Sequence, residues 1–429
     1  MTPRTVSRGL VVSAIASSQG KTTITLGILR AMRDQGIDVA SAKSGPDYID
    51  PQFHHLATGR PCLNLDPWAA DPEQLRARAA SISCDTLVIE GAMGLFDGAG
   101  VRGLGSTADL ARALQLPVLL VLDSSRMSHG AGALIAGLRD WAPDLTFVGV
   151  ILNKIGSARH GAMVKASVER VLPVLGTVPR NTELSAPSRH LGLVQPTENT
   201  NFEVFLAAAG RLVSDTCDLD TLCRAATSLP RAAAPRPIVP LGQRIAVAKD
   251  RAFSFFYPHM LDDWRSQGAE VTFFSPLNDD VPDSDADAIF LPGGYPELHA
   301  GRLAGAQRYQ SALRAASESK TVYGECGGFM ALGTGMVDAQ GERHAMAGLL
   351  QLETSFEKPI RSLGYRRLSS MHGPVSGTFS AHEFHYATTV TAKGVPLFTA
   401  SDADGVKLPD MGLVDGRTSG SFAHLIEAV

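Results

Sequence analysis

The chain has 429 residues and a formal net charge of -4, with 44% hydrophobic and 19% charged residues. That is the balance of a soluble globular protein large enough for two domains, and no basic block or acidic tail marks it for nucleic acid or for a solvating arm. No apolar run is long enough to span a membrane, so the expected partner is a small molecule. Five scattered cysteines, Cys62, Cys84, Cys217, Cys223 and Cys326, have no CxxC spacing. They argue against a disulfide framework or a zinc knuckle and fit a reducing cytoplasm.

At the start, Arg4 and Arg8 precede an apolar stretch, Gly9 to Ala16. It imitates a short secretory signal, but it leads into Gly20-Lys21-Thr22-Thr23 and reads better as a buried first strand. Further strands are predicted over Val39–Ala42, Thr86–Ile89, Val118–Leu122, Val148–Leu152 and Val174–Val178, with helices such as Thr22–Gln35 and Gly130–Trp141 between them. Apolar strands separated by helices predict a parallel sheet covered on both faces. Leu229 to Leu241 is rich in Pro, Ala and Arg and reads as a linker dividing domains 1–228 and 242–429. After it the alternation restarts, with strands at Arg244–Ala248, Val271–Phe274, Ala288–Leu291 and Thr321–Tyr323 and a helix over Arg302–Ser319. From about Gly348, shorter runs predict antiparallel additions to the second sheet.

Ser17-Ser-Gln-Gly-Lys-Thr-Thr23 sits between the first strand and a helix. This is a phosphate-loop context: Gly20 allows close backbone approach, Lys21 reaches terminal phosphates, Thr22 offers a hydroxyl to Mg2+, and Thr23 opens the helix. Ile15 replaces the usual first glycine, so the loop is a variant. Glu90 ends a predicted strand, on the side where open α/β sheets bind ligands, as a metal ligand or water-orienting acid. Lys43-Ser-Gly-Pro-Asp-Tyr-Ile-Asp-Pro51 follows the second strand. It is either a turn stabilised by Asp and Pro or a site in which Asp47 joins Thr22 and Glu90 around Mg2+ and Lys43 steadies phosphate charge. Asn153 either meets a purine edge or caps a helix.

In the second half, Thr321 to Phe329 runs a strand into Gly-Glu-Cys-Gly-Gly and then a helical stretch. This is the pattern of a nucleophile elbow with Cys326 in place of serine. The helix N-terminus is expected to lower the thiol pKa. His382, His385 and His424 are the candidate bases, and triad members need not be close in sequence. Gly293 and Gly294 end another strand and are expected to present N–H groups to an oxyanion. Asp279, Asp280, Asp283, Asp285 and Asp287 lack the pattern of a calcium loop and read as a solvated segment.

Four strings, Lys43-Ser-Gly-Pro-Asp-Tyr-Ile-Asp-Pro51, Glu90-Gly-Ala-Met-Gly-Leu-Phe-Asp-Gly98, Tyr323-Gly-Glu-Cys-Gly-Gly328 and His382-Glu-Phe-His-Tyr386, occur in this order. Together they resemble the cobyrinate or hydrogenobyrinate a,c-diamide synthase family. The resemblance covers nearly the whole chain. It implies an α/β protein of two domains: an N-terminal P-loop, parallel-sheet nucleotide-binding domain of dethiobiotin-synthetase type, and a C-terminal flavodoxin-like class I glutamine amidotransferase domain.

The resemblance also implies roles. Cys326 would be the glutaminase nucleophile and His424 its base. Gly20, Lys21, Thr22, Thr23 and Lys43 would hold ATP, with Asn153 on adenine. Thr22, Asp47 and Glu90 would hold Mg2+, and Asp47, Tyr48, Ile49, Glu90 and Asp97 would meet a corrin carboxylate. Gly293 and Gly294 would face glutamine. His382 to Tyr386 belongs to the family pattern without an assigned role. One departure is that Ile426 stands where many triad enzymes carry an acid; Glu427 is the nearest acid, and a Cys–His dyad is the alternative.

The chemistry expected from the family is an amidation of the a and c acetates. A corrin carboxylate becomes an acyl phosphate at the expense of ATP, and ammonia from glutamine displaces phosphate, with shielded ammonia transfer. The choice between metal-free and cobalt-containing ring stays open, leaning to metal-free, and the residues do not set whether the chain is a homodimer. Two rivals are a cobyric acid synthase, disfavoured by the short chain and intact Gly-Pro-Asp-Tyr-Ile-Asp-Pro string, and a nucleotide switch of the partitioning-ATPase kind. The switch is disfavoured because Ser17, Ser18 and Gln19 supply no early lysine.

Overall fold

The computed structural model describes residues 8–181, 184, 188–189, 192–193 and 202–429. The chain divides into two compact units, Met1–Pro235 and Arg236–Val429. Within the predicted linker, Leu229 packs on the first unit's core, whereas Ile238 is buried and its N–H donates to Asp263 Oδ2 at 2.8 Å.

In the first unit, β1 (Arg8–Ala14), β2 (Val39–Ser44), β3 (Leu63–Leu65), β4 (Thr86–Glu90), β5 (Val118–Asp123), β6 (Phe147–Ile155) and β7 (Val174–Pro179) form a parallel sheet in the order β3-β2-β4-β1-β5-β6-β7. The pleat sends alternate side chains to opposite faces. Accordingly Leu10, Val12 and Val88 join one core cluster, while Val11, Leu87 and Ile89 join the other. Both faces are buried, so these strands are continuously apolar. The order places β1 centrally, with the chain moving to β2 and β4 on one side and β5 to β7 on the other. A ligand crevice is expected at the strands' carboxyl ends there. From that edge α1 (Lys21–Asp34) follows β1, and α2 (Asp50–Thr58) follows β2.

The second unit holds a six-stranded sheet in the order Glu270–Phe274, Arg244–Ala248, Ala288–Leu291, Thr321–Glu325, Thr418–Ser421, Leu413–Asp415. Its first five strands are parallel and the last pairs antiparallel. The later strands do not simply extend it. An antiparallel sheet runs in the order Lys407–Met411, Phe398–Ser401, Ser362–Ser370, Thr378–His385, Ala423–Ala428, and a further sheet includes Gln351–Ser355 and Thr388–Lys393.

The predicted helix over Arg302–Ser319 is two helices, Ala300–Gly305 and Gln307–Ser317. Ala306, at φ -77° and ψ 74°, breaks them. The aspartate-rich segment also does more than meet solvent: Asp287 accepts from the N–H groups of Gln243 and Arg244, and Asp279 from that of Tyr309. Among the described residues, no helix is long and apolar enough to cross a membrane.

Candidate active sites

In the first unit the loop after β1 has left-handed backbone at Ser18 (φ 64°) and Gly20 (φ 85°). A Cβ built on Gly20 would lie 2.2 Å from Nδ2 of Asn153, so glycine is required for space as well as for backbone conformation. Asn153 Nδ2 donates to the Gln19 carbonyl at 2.9 Å, and its Oδ1 accepts from the N–H of Lys154 at 2.9 Å. Its amide thus braces the loop. Lys154 Nζ pairs with Asp123 at 2.6 Å and reaches the Ser18 carbonyl at 3.2 Å, while Gln19 Oε1 accepts from the N–H of Asp123. The ends of β5 and β6 thereby fix the loop. Beside it lies a cavity of about 390 Å³ lined by Gly20, Thr23, Asn153, Lys154, Arg126 and Leu212 among others.

The strand register sets Lys43 of β2 opposite Glu90 of β4. Lys43 Nζ lies 3.0 Å from Glu90 Oε1 and 2.5 Å from Asp50 Oδ2. The Thr22 hydroxyl, on the first turn of α1, donates to the same Glu90 Oε1 at 2.6 Å. His54 Nε2, one turn beyond Asp50 on α2, lies 2.6 Å from Glu90 Oε2, and its Nδ1 is 3.6 Å from the Cys62 sulfur. Burial disfavours the Glu90 charge, but Lys43, His54 and Lys21 outweigh it and hold this carboxyl well below the usual range. Burial also works against Lys43, yet Asp50, Glu90 and Asp47 keep it firmly protonated. Burial, followed by Asp47, raises Asp50 to about 6.

Lys21 Nζ donates to the Met93 carbonyl at 3.1 Å. Burial and then Lys43 lower its pKa to about 8. Asp97 Oδ2 accepts from the N–H of Gly94 at 2.8 Å, which closes the turn carrying Met93. Asp47 Oδ1 accepts from the N–H groups of Ile49 and Asp50, so it caps the start of α2. Its charge is still felt by Lys21, Lys43 and Asp50. Tyr48 and Ile49 are half-buried on the same turn. The structure therefore gathers Lys21, Thr22, Lys43 and Glu90, with Asp47 beside them through its field.

In the second unit Cys326 has φ 47° and ψ -105° between the strand Thr321–Glu325 and the short helix Gly327–Leu332. This is the strained turn of an elbow. A Cβ built on Gly293 would lie 2.2 Å from Cε1 of His424 and 3.3 Å from Cβ of Cys326. A side chain at Gly293 would thus collide with the imidazole and crowd Cys326, and the Gly293 carbonyl accepts from the N–H of Phe255. The Gly294 nitrogen would lie 3.1 Å from a Cβ on Gly327, which sets the glycine pair directly over the elbow.

The thiol is not activated as its helix predicts. Cys326 is 3% exposed; burial, then Glu297, Glu383 and Glu325, push its pKa up. Burial and the neighbouring His382 and His385 lower His424 to about 3. The resting pair is neutral thiol and neutral imidazole. The third acid, left open by the sequence, has a candidate other than Glu427. Glu427 lies 3.9 Å from His259, whereas Glu325 Oε2 is 3.7 Å from His424 Nδ1. Glu325 Oε1 accepts from Tyr323 Oη and from the N–H of Leu425, each at 3.2 Å, and burial raises its carboxyl to about 8.

His382 to Tyr386 forms a wall of this site. His382 sits opposite His424 in the strand register, and the Cys326 thiol donates to the Phe384 carbonyl at 3.7 Å. His385 stacks on Phe422 with ring centroids 4.0 Å apart. Glu383 ties His385 at 3.0 Å to Arg366 at 2.8 Å.

Comparison with known proteins accords with this pairing of sites. Residues 10–194 match the family described as CobQ/CobB/MinD/ParA nucleotide binding domain, and residues 244–428 match the CobB/CobQ-like glutamine amidotransferase domain. Hydrogenobyrinate a,c-diamide synthases of Brucella anthropi and a Sinorhizobium species are each 50% identical to the chain, over 98% of both partners. That of Rhodobacter capsulatus is 47% identical, again over 98% of each. The chain belongs to the hydrogenobyrinate a,c-diamide synthase family.

The sequence strings mark loops of both candidate sites, but the sequence did not single out several of the contacting residues. Asp50 lies inside a quoted string, and its i, i+4 spacing to His54 was the one signal that both face the same side of α2. Glu325 adjoins the nucleophile but carries no motif that aims it at His424.

Proposed function

We propose that this diamide synthase family member uses ATP and glutamine to convert the a and c acetate carboxylates of hydrogenobyrinic acid into carboxamides in cobalamin biosynthesis. The observation that carries the reading is that the named relatives align with the chain end to end, with a phosphate-loop unit followed by a Cys–His unit.

In the first unit, the ring carboxylate attacks the γ-phosphorus of ATP; ADP leaves and an acyl phosphate remains. Ammonia then attacks the acyl carbon and phosphate departs. Gly20, Lys21, Thr22 and Thr23 would bind the phosphates, and Lys43, kept protonated, would meet their developing charge. The cavity beside Gly20, Thr23 and Asn153 supports a nucleoside position there. The Asn153 amide is engaged with the loop, so its contribution is to shape that pocket. Asp47, Tyr48, Ile49, Glu90 and Asp97 border the place for the corrin carboxylate. Thr22 Oγ1 and Glu90 Oε1, with Asp47 close by, present hard oxygen donors of the kind Mg2+ prefers. Thr22, Glu90 and Asp47 would hold the ion, which when bound neutralises phosphate charge.

In the second unit, His424 takes the proton of Cys326 as the sulfur attacks the carboxamide carbon of glutamine. The Gly293–Gly294 backbone faces the oxyanion. His424 returns the proton to the departing ammonia, leaving a glutamyl thioester that water hydrolyses to glutamate. Glu325, protonated at rest and 3.7 Å from the ring, would steady the imidazolium formed meanwhile by giving up its own proton.

The test is mass spectrometry of hydrogenobyrinic and cobyrinic acids incubated with ATP and Mg2+, comparing wild type with Cys326→Ala, each given glutamine or ammonia. Two added amides on hydrogenobyrinic acid, with the variant active on ammonia alone, is the expected result. No amidation of either ring with either nitrogen source overturns the corrin reading.

A further inference from the structure

Glu297 is the acid near the nucleophile that the mechanism leaves unused. The strand Ala288–Leu291 ends in Pro292-Gly293-Gly294-Tyr295-Pro296, which passes over the elbow. A Cβ on Gly293 would crowd both His424 and Cys326, and a Cβ on Gly327 would lie 2.8 Å from Pro296 Cδ. Glu297 comes next, in the 3-10 turn Pro296–His299. After burial, it is the strongest influence holding the Cys326 thiol up, ahead of Glu383 and Glu325.

Those other two acids are occupied. Glu383 is bound by Arg366 and His385, and Glu325 by Tyr323, the N–H of Leu425 and the nearby His424. Among the described residues, Glu297 has no such partner in another side chain. Burial raises its carboxyl to about 7. A sheltered acid with no side-chain partner, steadied only by its own backbone N–H, is costly to charge, and its charge also works against the thiolate that the reaction needs. A cation delivered with the substrate would remove both penalties.

We propose that Glu297 receives the α-ammonium group of glutamine, the amide donor of the glutaminase site. This rests on Cys326 being the glutaminase nucleophile. Ordinary bond lengths put the ammonium of a bound glutamine roughly 5 Å from its carboxamide carbon, a span over which one carboxylate can meet the ammonium and still act on the thiol. Glutamine would then satisfy Glu297 and, in the same event, ease deprotonation of Cys326. The free enzyme would keep a quiet thiol.

The experiment is steady-state glutaminase kinetics of the full-length enzyme with glutamine and with glutaramate, which is glutamine without its α-amino group. Rates are normalised to ammonia-driven amidation by the same preparation. Wild type is expected to favour glutamine by about 10- to 100-fold in kcat/KM. Glu297→Gln is expected to lose that preference by raising the KM for glutamine while glutaramate changes little, and Glu297→Asp to restore part of it. Equal use of both amides by wild type, or an equal loss on both in Glu297→Gln, overturns the proposal. Failure of wild type to hydrolyse glutamine at all overturns the underlying glutaminase reading instead, and it is seen before any substitution is made.

Discussion

Glu325 Oε2 lies 3.7 Å from Nδ1 of His424, although Glu325 is the residue immediately before the nucleophile. Triad acids are usually sought near the histidine in sequence. Here the acid reaches the imidazole because the strand Thr321–Glu325 pairs with Thr418–Ser421, setting Glu325 opposite Ser421, three residues before His424. The Leu425 N–H and Tyr323 Oη then hold the other oxygen of its carboxyl.

If Glu325 steadies the His424 imidazolium, Glu325→Gln should lower glutamine-driven turnover by about 10²–10⁴-fold, in kcat and not in KM for glutamine. Ammonia-driven amidation should persist. Glutamine turnover equal to wild type would show the pair to be a dyad.

The same substitution should alter stability with a definite sign. The Glu325 carboxyl is held at about 8 against an ordinary 4.5 because it is buried. A carboxyl raised in the fold keeps its stabilising contribution below the ordinary value and loses it as pH rises through the folded one. Thermal melts between pH 4.5 and 8 should therefore show Glu325→Gln gaining on wild type as pH rises. A constant difference would contradict this.

Glu90 is the common acceptor of Thr22, Lys43 and His54. Glu90→Gln should leave two buried cations poorly matched and cost about 3–5 kcal/mol, measurable by denaturant unfolding. It should abolish ATP-dependent amidation with either nitrogen source, as should chelation of Mg2+, while glutamine hydrolysis continues. Retained amidation would remove Glu90 from the synthetase site.

Gly20 and Gly36 provide a matched pair. Both have positive φ, 85° and 78°, but a Cβ on Gly36 meets nothing within 4 Å. Each Gly→Ala change should cost about 1–2 kcal/mol in backbone strain. Only Gly20→Ala should also weaken ATP binding, because the new methyl displaces the Asn153 amide. Titration with a fluorescent nucleotide separates the two; equal affinities would contradict the bracing role of Asn153.

Local rules were enough to read the parallel sheets, the phosphate loop and the cysteine elbow from the sequence. Strand burial on both faces writes itself as continuous apolar runs, and turns that need bare backbone demand glycine at Gly20, Gly293 and Gly327. The same rules marked Lys43, Glu90 and Asp47 as lying on ligand-side loops or strand ends, and offered His424 as a candidate base. They did not reach the break at Ala306, where a helical pattern continues across a non-helical backbone.

Tertiary structure alone decided how those residues are paired and charged. It turned Asn153 onto the loop backbone, brought His54 to Glu90, set Glu325 within 3.7 Å of His424, and left Cys326 a neutral thiol where a helix terminus alone predicted a thiolate. The physical reason is common to all four. Hydrogen-bond partners and desolvation depend on which distant segments pack around a group, and burial shifts an ionisable side chain by more than its local helix does.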